Sequence, residues 1–154
     1  MLFALARVVP GPRVRIDPRG VARQVPGNPA YAVRYAHARA ASGLRWGAAL
    51  GDSGEAAQPC LPADPADWAL LDALSWLPER AAGAARRGRP DEFARYLEDL
   101  ASAAIKALPF VGHGDRAAAG DNERLALTRV LAAAARTSLA AGLGVLGVAA
   151  PEGL

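Results

Sequence analysis

Few side chains in this chain could do covalent chemistry, and those that could are poorly grouped. His37, Ser42 and Asp52 supply the three side-chain types of a hydrolytic relay. A serine nucleophile also needs a strand-to-helix elbow and oxyanion-stabilising N–H groups, and neither accompanies them. The favoured reading is a histidine on a helix face with a hydrogen-bond partner. Cys60 is the sole cysteine, so no internal disulfide can form, and with His37 and His113 it leaves no cluster from which to build a zinc site. Gly142-Leu-Gly144-Val-Leu-Gly147 has the spacing of a dinucleotide-binding glycine signature. That signature works between a strand and the start of a helix. Here it closes a helix, where glycines terminate the helix or let two helices approach closely. The chain therefore reads as a protein that acts by binding, not an enzyme, with no catalytic residue, metal or cofactor of its own.

The residues best suited to binding lie between positions 28 and 45. On a helix, Tyr31, Tyr35, Ala38 and Ser42 align on one face, with Arg34, His37 and Arg45 beside it and Arg39 turned further away. Aromatic rings flanked by guanidinium groups suit splayed single-stranded bases, which stack on the rings while their phosphates pair with the cations. Spacing alone equally allows the two tyrosines to anchor the helix to its neighbours. Trp46, Trp68 and Trp76 stand at helical spacing among leucines and read as core. Arg86, Arg87 and Arg89 read as a solvated helix end, where cations complement the helix dipole.

The elements that must position these residues are marked by start signals. Asp17-Pro18 predicts a brief helix to about residue 24, halted by Pro26-Gly27. The residues before Asp17 read as irregular. Asn28-Pro29 pairs an N-cap with proline at the first helical position, and nothing interrupts the helix until about residue 50. Residues 51–63 read as a surface loop, and Asp64-Pro65 repeats the start signal. Pro78 belongs in a first turn, so two abutting helices over about 66–76 and 78–87 fit best. The first carries Trp68, Leu71, Ala73, Leu74 and Trp76 toward the core.

After the break at Gly88 to Pro90, Asp91 and Glu92 open a helix to about residue 108, with Phe93, Leu97, Leu100 and Ala104 as its apolar stripe. A glycine-rich connector covers 109–120. Asp121 then caps a last helix from 122 to about 146 that buries Leu127, Val130, Leu131, Ala134, Leu139 and Leu143 and turns Arg129 and Arg136 to solvent. The organisation is an irregular segment over 1–27 holding one short helix, then one helical domain over 28–154.

Composition agrees with close-packed helices. The 52% hydrophobic fraction is dominated by alanine and leucine, and aromatics reach only 6%. Eighteen basic residues, all arginine save Lys106, oppose fifteen acidic ones, a formal charge of +3 that permits phosphate contact without demanding it. The apolar opening Met-Leu-Phe-Ala-Leu-Ala lacks the basic flank of an export signal. The longest apolar run, 137–150, falls short of the roughly 20 residues of a membrane helix. Together with the lone cysteine, these features imply a cytoplasmic protein. Nothing sets an oligomeric state.

Several segments taken together resemble the C-terminal anticodon-binding domain of arginyl-tRNA synthetases, the DALR domain. They are Asn-Pro-x-Tyr-x-Val-x-Tyr-Ala-His-Ala-Arg from Asn28 to Arg39, Leu-Leu-x-x-Leu-x-x-Leu-Pro-Glu from Leu70 to Glu79, Arg-Tyr-Leu-Glu-Asp-Leu-Ala from Arg95 to Ala101, and Gly-Leu-Gly-Val-Leu-Gly-Val with Ala-Pro-Glu near the terminus. They span nearly the whole chain in the family's order. The first is fairly specific, and the rest are persuasive as a series.

The resemblance implies an all-α helical bundle of about five to six helices, like the anticodon-binding domains of class Ia synthetases. In a full synthetase such a domain grips the anticodon arm of arginine tRNA while a separate domain activates arginine with ATP. It implies RNA contacts at Tyr31, Arg34, Tyr35, His37 and Arg39, with Arg129 and Arg136 as phosphate neighbours. No His-Ile-Gly-His-like or Lys-Met-Ser-Lys-Ser-like segment is present, so the chain is not expected to aminoacylate tRNA itself. It departs from the family after Ala101, where Ser-Ala-Ala-Ile-Lys-Ala-Leu-Pro-Phe replaces an aromatic stretch, and in ending Pro-Glu-Gly-Leu where the family tends to end Pro-Glu-Arg-Met. A tRNA-binding module is the first functional expectation. The alternative is a synthetase-derived helical scaffold that has lost RNA readout and docks a protein partner.

Overall fold

A computed structural model describes residues 1–11, 15–25, 27–49, 59–108 and 122–153. Among them run seven helices: α1 (Leu2–Ala6), α2 (Pro18–Ala22), α3 (Pro29–Ala49), α4 (Pro65–Ser75), α5 (Leu77–Arg87), α6 (Pro90–Ala107) and α7 (Asn122–Val145). Five of the seven carry proline in their first turn, where its missing N–H costs nothing and its fixed φ suits the helix. The Asp17 carboxylate accepts from the backbone N–H groups of Arg19 and Gly20, and Asp64 caps Ala66 in the same way. Trp76 closes α4 and opens α5, with Pro78 in the first turn of the second helix, as its sequence position demands. Gly88, at φ 61°, ends α5 in the left-handed conformation.

The core is a single cluster of leucine, alanine and a few aromatics around α6. That helix touches α1, α3, α4, α5 and α7, and it buries Phe93, Ala94, Leu97, Leu100, Ala101 and Ala104. Each leucine so buried stabilises the fold by roughly 1.5–3 kcal/mol over leaving it in water. α3 and α7 pack along each other through Val33, Ala36 and Ala40 on one side and Leu131, Ala135, Leu139 and Leu143 on the other. Where α7 crosses α6, a Cβ on Gly142 would drive into the Leu97 side chain, so glycine there permits the close approach. Gly147, at φ 69°, then terminates α7, with Val148 N–H donating to the Leu143 carbonyl. The glycine signature is thus a packing and termination device.

Two charged pairs lie inside. Asp67 on α4 is wholly buried and takes both forks of the Arg124 guanidinium from α7. Asp91, equally buried at the start of α6, accepts two hydrogen bonds of 2.8 Å from Arg89 and faces Arg95. The hydrogen bonds from Arg89 hold the Asp91 carboxyl below the usual carboxylate range, with burial opposing them.

Several expectations are corrected. The residues before Asp17 hold α1, whose Phe3 is 2% exposed in the core and whose end is tied down by Arg7 to Glu98 of α6. A five-residue helix is too short for periodicity to reveal, and tertiary packing makes it. Trp46, Trp68 and Trp76, read as core, are 51%, 56% and 47% exposed. On α4 the buried residues are Asp67 and Leu70, because the Arg124 pair turns Asp67 inward and the adjacent Trp68 outward. Trp68 instead donates its indole N–H to the Pro62 carbonyl, and Arg80 covers the Trp76 ring. Val130 also faces solvent. Asp52, His113, the Asp121 cap, the 109–120 connector and most of the 51–63 loop lie outside the described residues.

Candidate nucleic-acid interface

The first turn of α3 is fastened by one side chain. Asn28 accepts from Ala30 N–H through Oδ1 and donates its amide to the carbonyls of Val21 and Arg23, at 2.8 and 2.7 Å. The end of α2 is thereby locked to the start of α3. One turn further on, the rings of Tyr31 and Tyr35 stack with centroids 5.8 Å apart and planes 22° from parallel. Both are half-buried, as is Arg34 between them. The stack presents a preoriented aromatic ledge on the side of α3 away from Val33, Ala36 and Ala40.

The other expected contacts divide. His37 is 1% exposed, and its Nδ1–H donates to the Pro151 carbonyl at 2.8 Å. That placement corrects its expected place in the RNA contact set, since no nucleotide reaches it without displacing the chain after α7. The hydrogen-bonded helix-face histidine is what the structure contains. Arg39 is half-buried and donates to the Leu108 carbonyl at 2.7 Å, which holds the end of α6 against α3. On α7, Arg129 is half-buried and Arg136 exposed, two turns apart on one flank.

After Gly147 the chain lies along α3 as a strap. His37 holds it at Pro151, and Arg45 meets Glu152 at 3.4 Å. Trp46, overlooked as core, falls eleven residues after Tyr35 and so on nearly the same side of α3. That spacing was the available signal. Tryptophan among leucines predicts burial, but on this side of α3 Trp46 is 51% exposed.

The arginine run at the end of α5 is neutralised. Arg86 pairs with Glu79, Arg87 with Glu92 and Arg89 with Asp91, which agrees with a structural helix end. Among the described residues no group of histidine, cysteine and acidic side chains could hold a metal ion, and no helix is long and apolar enough to cross a membrane.

The family model of the DALR anticodon binding domain matches residues 33–154, from the middle of the α3 ledge to the strap. The chain belongs to the DALR anticodon-binding domain family. Arginine–tRNA ligases of Frankia alni, Clavibacter sepedonicus and Azoarcus sp. are 41%, 35% and 37% identical to it. These matches cover 86%, 97% and 82% of this chain but 24%, 27% and 21% of the ligases. The chain thus spans about a quarter of the length of the curated relatives it matches. A crystal structure of a Campylobacter jejuni protein assigned as an arginyl-tRNA synthetase shares the fold, with a TM-score of 0.74 at 19% identity over 99% of this chain and 32% of that one. The DALR domain therefore accounts for the helical architecture expected from the sequence, and α1 and α2 precede the part matched by the family model.

Proposed function

We propose that this chain is a tRNA-binding module for the anticodon arm, of arginine type, working in the cytoplasm without aminoacylation activity of its own. The observation that carries the reading is the stacked Tyr31–Tyr35 pair with Arg34 beside it, on a half-exposed side of α3 in a DALR domain. Single-stranded bases stack on such rings at about 1–3 kcal/mol each. Trp46 extends the aromatic side of α3, and Arg39, Arg129 and Arg136 supply charge for phosphates. His37 acts indirectly, by seating the strap.

The test is binding to an arginine tRNA transcript and to a non-cognate tRNA across a salt series. Selective binding that weakens with salt is expected, with losses of about 5- to 150-fold for Tyr35→Ala and for Trp46→Ala. Weak, unselective binding that ignores both substitutions overturns the reading.

A second reading is a helical scaffold that docks a protein partner. It is favoured by the exposure of Leu61, Trp68 and Trp76, at 86%, 56% and 47%, which no RNA contact proposed above uses. RNA binding that survives Trp68→Ala and Trp76→Ala, with a protein captured only by the unsubstituted chain, would assign that surface separately.

A further inference from the structure

A cleft of about 480 Å3 opens between the ends of α1 and α2, the first turns of α3 and the strap after α7. Its size falls in the range of small-molecule sites. Arg23, Gln24, Tyr31, Arg34, Val148 and Ala149 line it, and among the described residues no acidic side chain does. Arg23 is exposed and Arg34 half-buried, and neither forms an ion pair among the described residues. This contrasts with Arg86 and Arg87 at the end of α5, each of which has a carboxylate. Two guanidinium groups lining one cleft, with no carboxylate partner among the described residues, favour a positive potential there, and their planar forks match phosphate oxygens.

The walls are preformed. Asn28 fixes the backbone of Arg23 and Val21, Gly147 turns the strap so that Val148 and Ala149 face α3, and stacking on Tyr35 orients the Tyr31 ring. A larger neighbouring cleft of about 830 Å3 shares Arg23, but its other arginine, Arg7, is paired with Glu98, and the acidic Asp17 lies among its mostly apolar lining of Val8, Val9, Ile16, Val21 and Val25.

We infer that the smaller cleft receives one nucleotide, its phosphate on Arg23 and Arg34 and its base against Tyr31, as a flipped-out unit of the bound RNA. The inference rests on the RNA-binding reading. It adds Arg23 and Gln24, which no sequence motif marks and which lie before the part of the chain matched by the family model.

The test is titration of the isotopically labelled chain with uridine 5′-monophosphate, uridine and inorganic phosphate, following backbone amide shifts by NMR. The monophosphate is expected to move the amides of residues 22–24, 34 and 148–149, about tenfold more tightly than either part alone, given what a charge-assisted hydrogen bond contributes. Arg23→Gln with Arg34→Gln should abolish the response while leaving the amide spectrum otherwise folded. In the tRNA assay the same pair should make the salt slope shallower by about 0.7, one single-strand phosphate contact. Shifts elsewhere, shifts that survive the double substitution, or equal binding of inorganic phosphate alone would overturn the inference. If tRNA binds selectively but the cleft does not respond, this inference fails and the RNA reading stands. If neither binds, both fail.

Discussion

Replacing Gly142 and Gly144 by alanine, two residues apart on α7, should move stability in opposite directions. At Gly142 the added Cβ would collide with Leu97 Cδ2 and sit 3.2 Å from Cδ1 and 3.4 Å from Cγ. Leu97 is wholly buried between α6 and α7, so its side chain cannot swing into solvent. Overpacking of that kind costs about 1–3 kcal/mol, and three close atoms place this case near the upper end. Alanine returns about 1 kcal/mol of helix propensity, which leaves a net loss of about 2 kcal/mol. Gly144 has nothing within 4 Å and is exposed, so only the propensity gain applies, about 0.5 kcal/mol so near a helix end.

Urea unfolding followed by circular dichroism at 222 nm measures both. With a slope of about 2 kcal/mol per molar urea, Gly142→Ala should lower the midpoint by about 1 M and Gly144→Ala raise it by about 0.25 M. Adding Leu97→Ala to Gly142→Ala should cost less than the sum of the two changes, because the new methyl enters the space vacated. A Gly142→Ala midpoint at or above that of the unsubstituted chain would refute the packing role of this glycine.

The buried ion pair should respond asymmetrically. Arg124→Ala strands the fully buried Asp67 carboxylate and should cost about 3–5 kcal/mol, whereas Asp67→Asn leaves a guanidinium still 38% exposed that can rehydrate and should cost about 1–2 kcal/mol, both read by urea unfolding. Asp91 has its folded pKa lowered, so its contribution is complete above the ordinary aspartate pKa of about 3.9 and is lost as pH falls toward the folded value; Asp91→Asn should flatten the acid limb of stability in a pH series. The Tyr96 hydroxyl donates to the Ala73 carbonyl at 2.6 Å, and burial pushes its pKa up to about 12. Ultraviolet titration of the folded chain should show one tyrosine with that midpoint, absent from Tyr96→Phe, and its contribution to stability should decline as pH rises from about 10 through 12.

Helix boundaries were legible because they are written in local chemistry. Asp17-Pro18, Asn28-Pro29 and Asp64-Pro65 each open a helix within a residue of the expected start, and the α6 stripe of Phe93, Leu97, Leu100 and Ala104 is buried as its spacing requires. Orientation at the bundle edge was not legible. Which of Asp67 and Trp68 faces inward depends on Arg124, 57 residues away, and no local pattern encodes that pairing. The same holds for His37, whose hydrogen-bonded character could be read from its helix but whose partner at Pro151 could not. α1 escaped for a related reason, since Phe3 is ordered by contacts with α3 and α6 rather than by its neighbours. The tyrosine–arginine grouping was visible in the spacing, whereas the cleft with Arg23 arises only once the strap returns to α3.

That strap also sets the order in which the protein can be completed during synthesis. The bond from His37 to Pro151 spans 114 residues, and α3 finds its principal packing partner in α7. All-helical domains usually fold fast because their contacts are local, but closure over so long a separation slows the final step. A ribosome would therefore release most of the chain before α3 acquires either neighbour. Until then the segment carrying Tyr31 and Tyr35 has only α1, α2 and α6 to pack against, and the nucleotide cleft has only part of its walls.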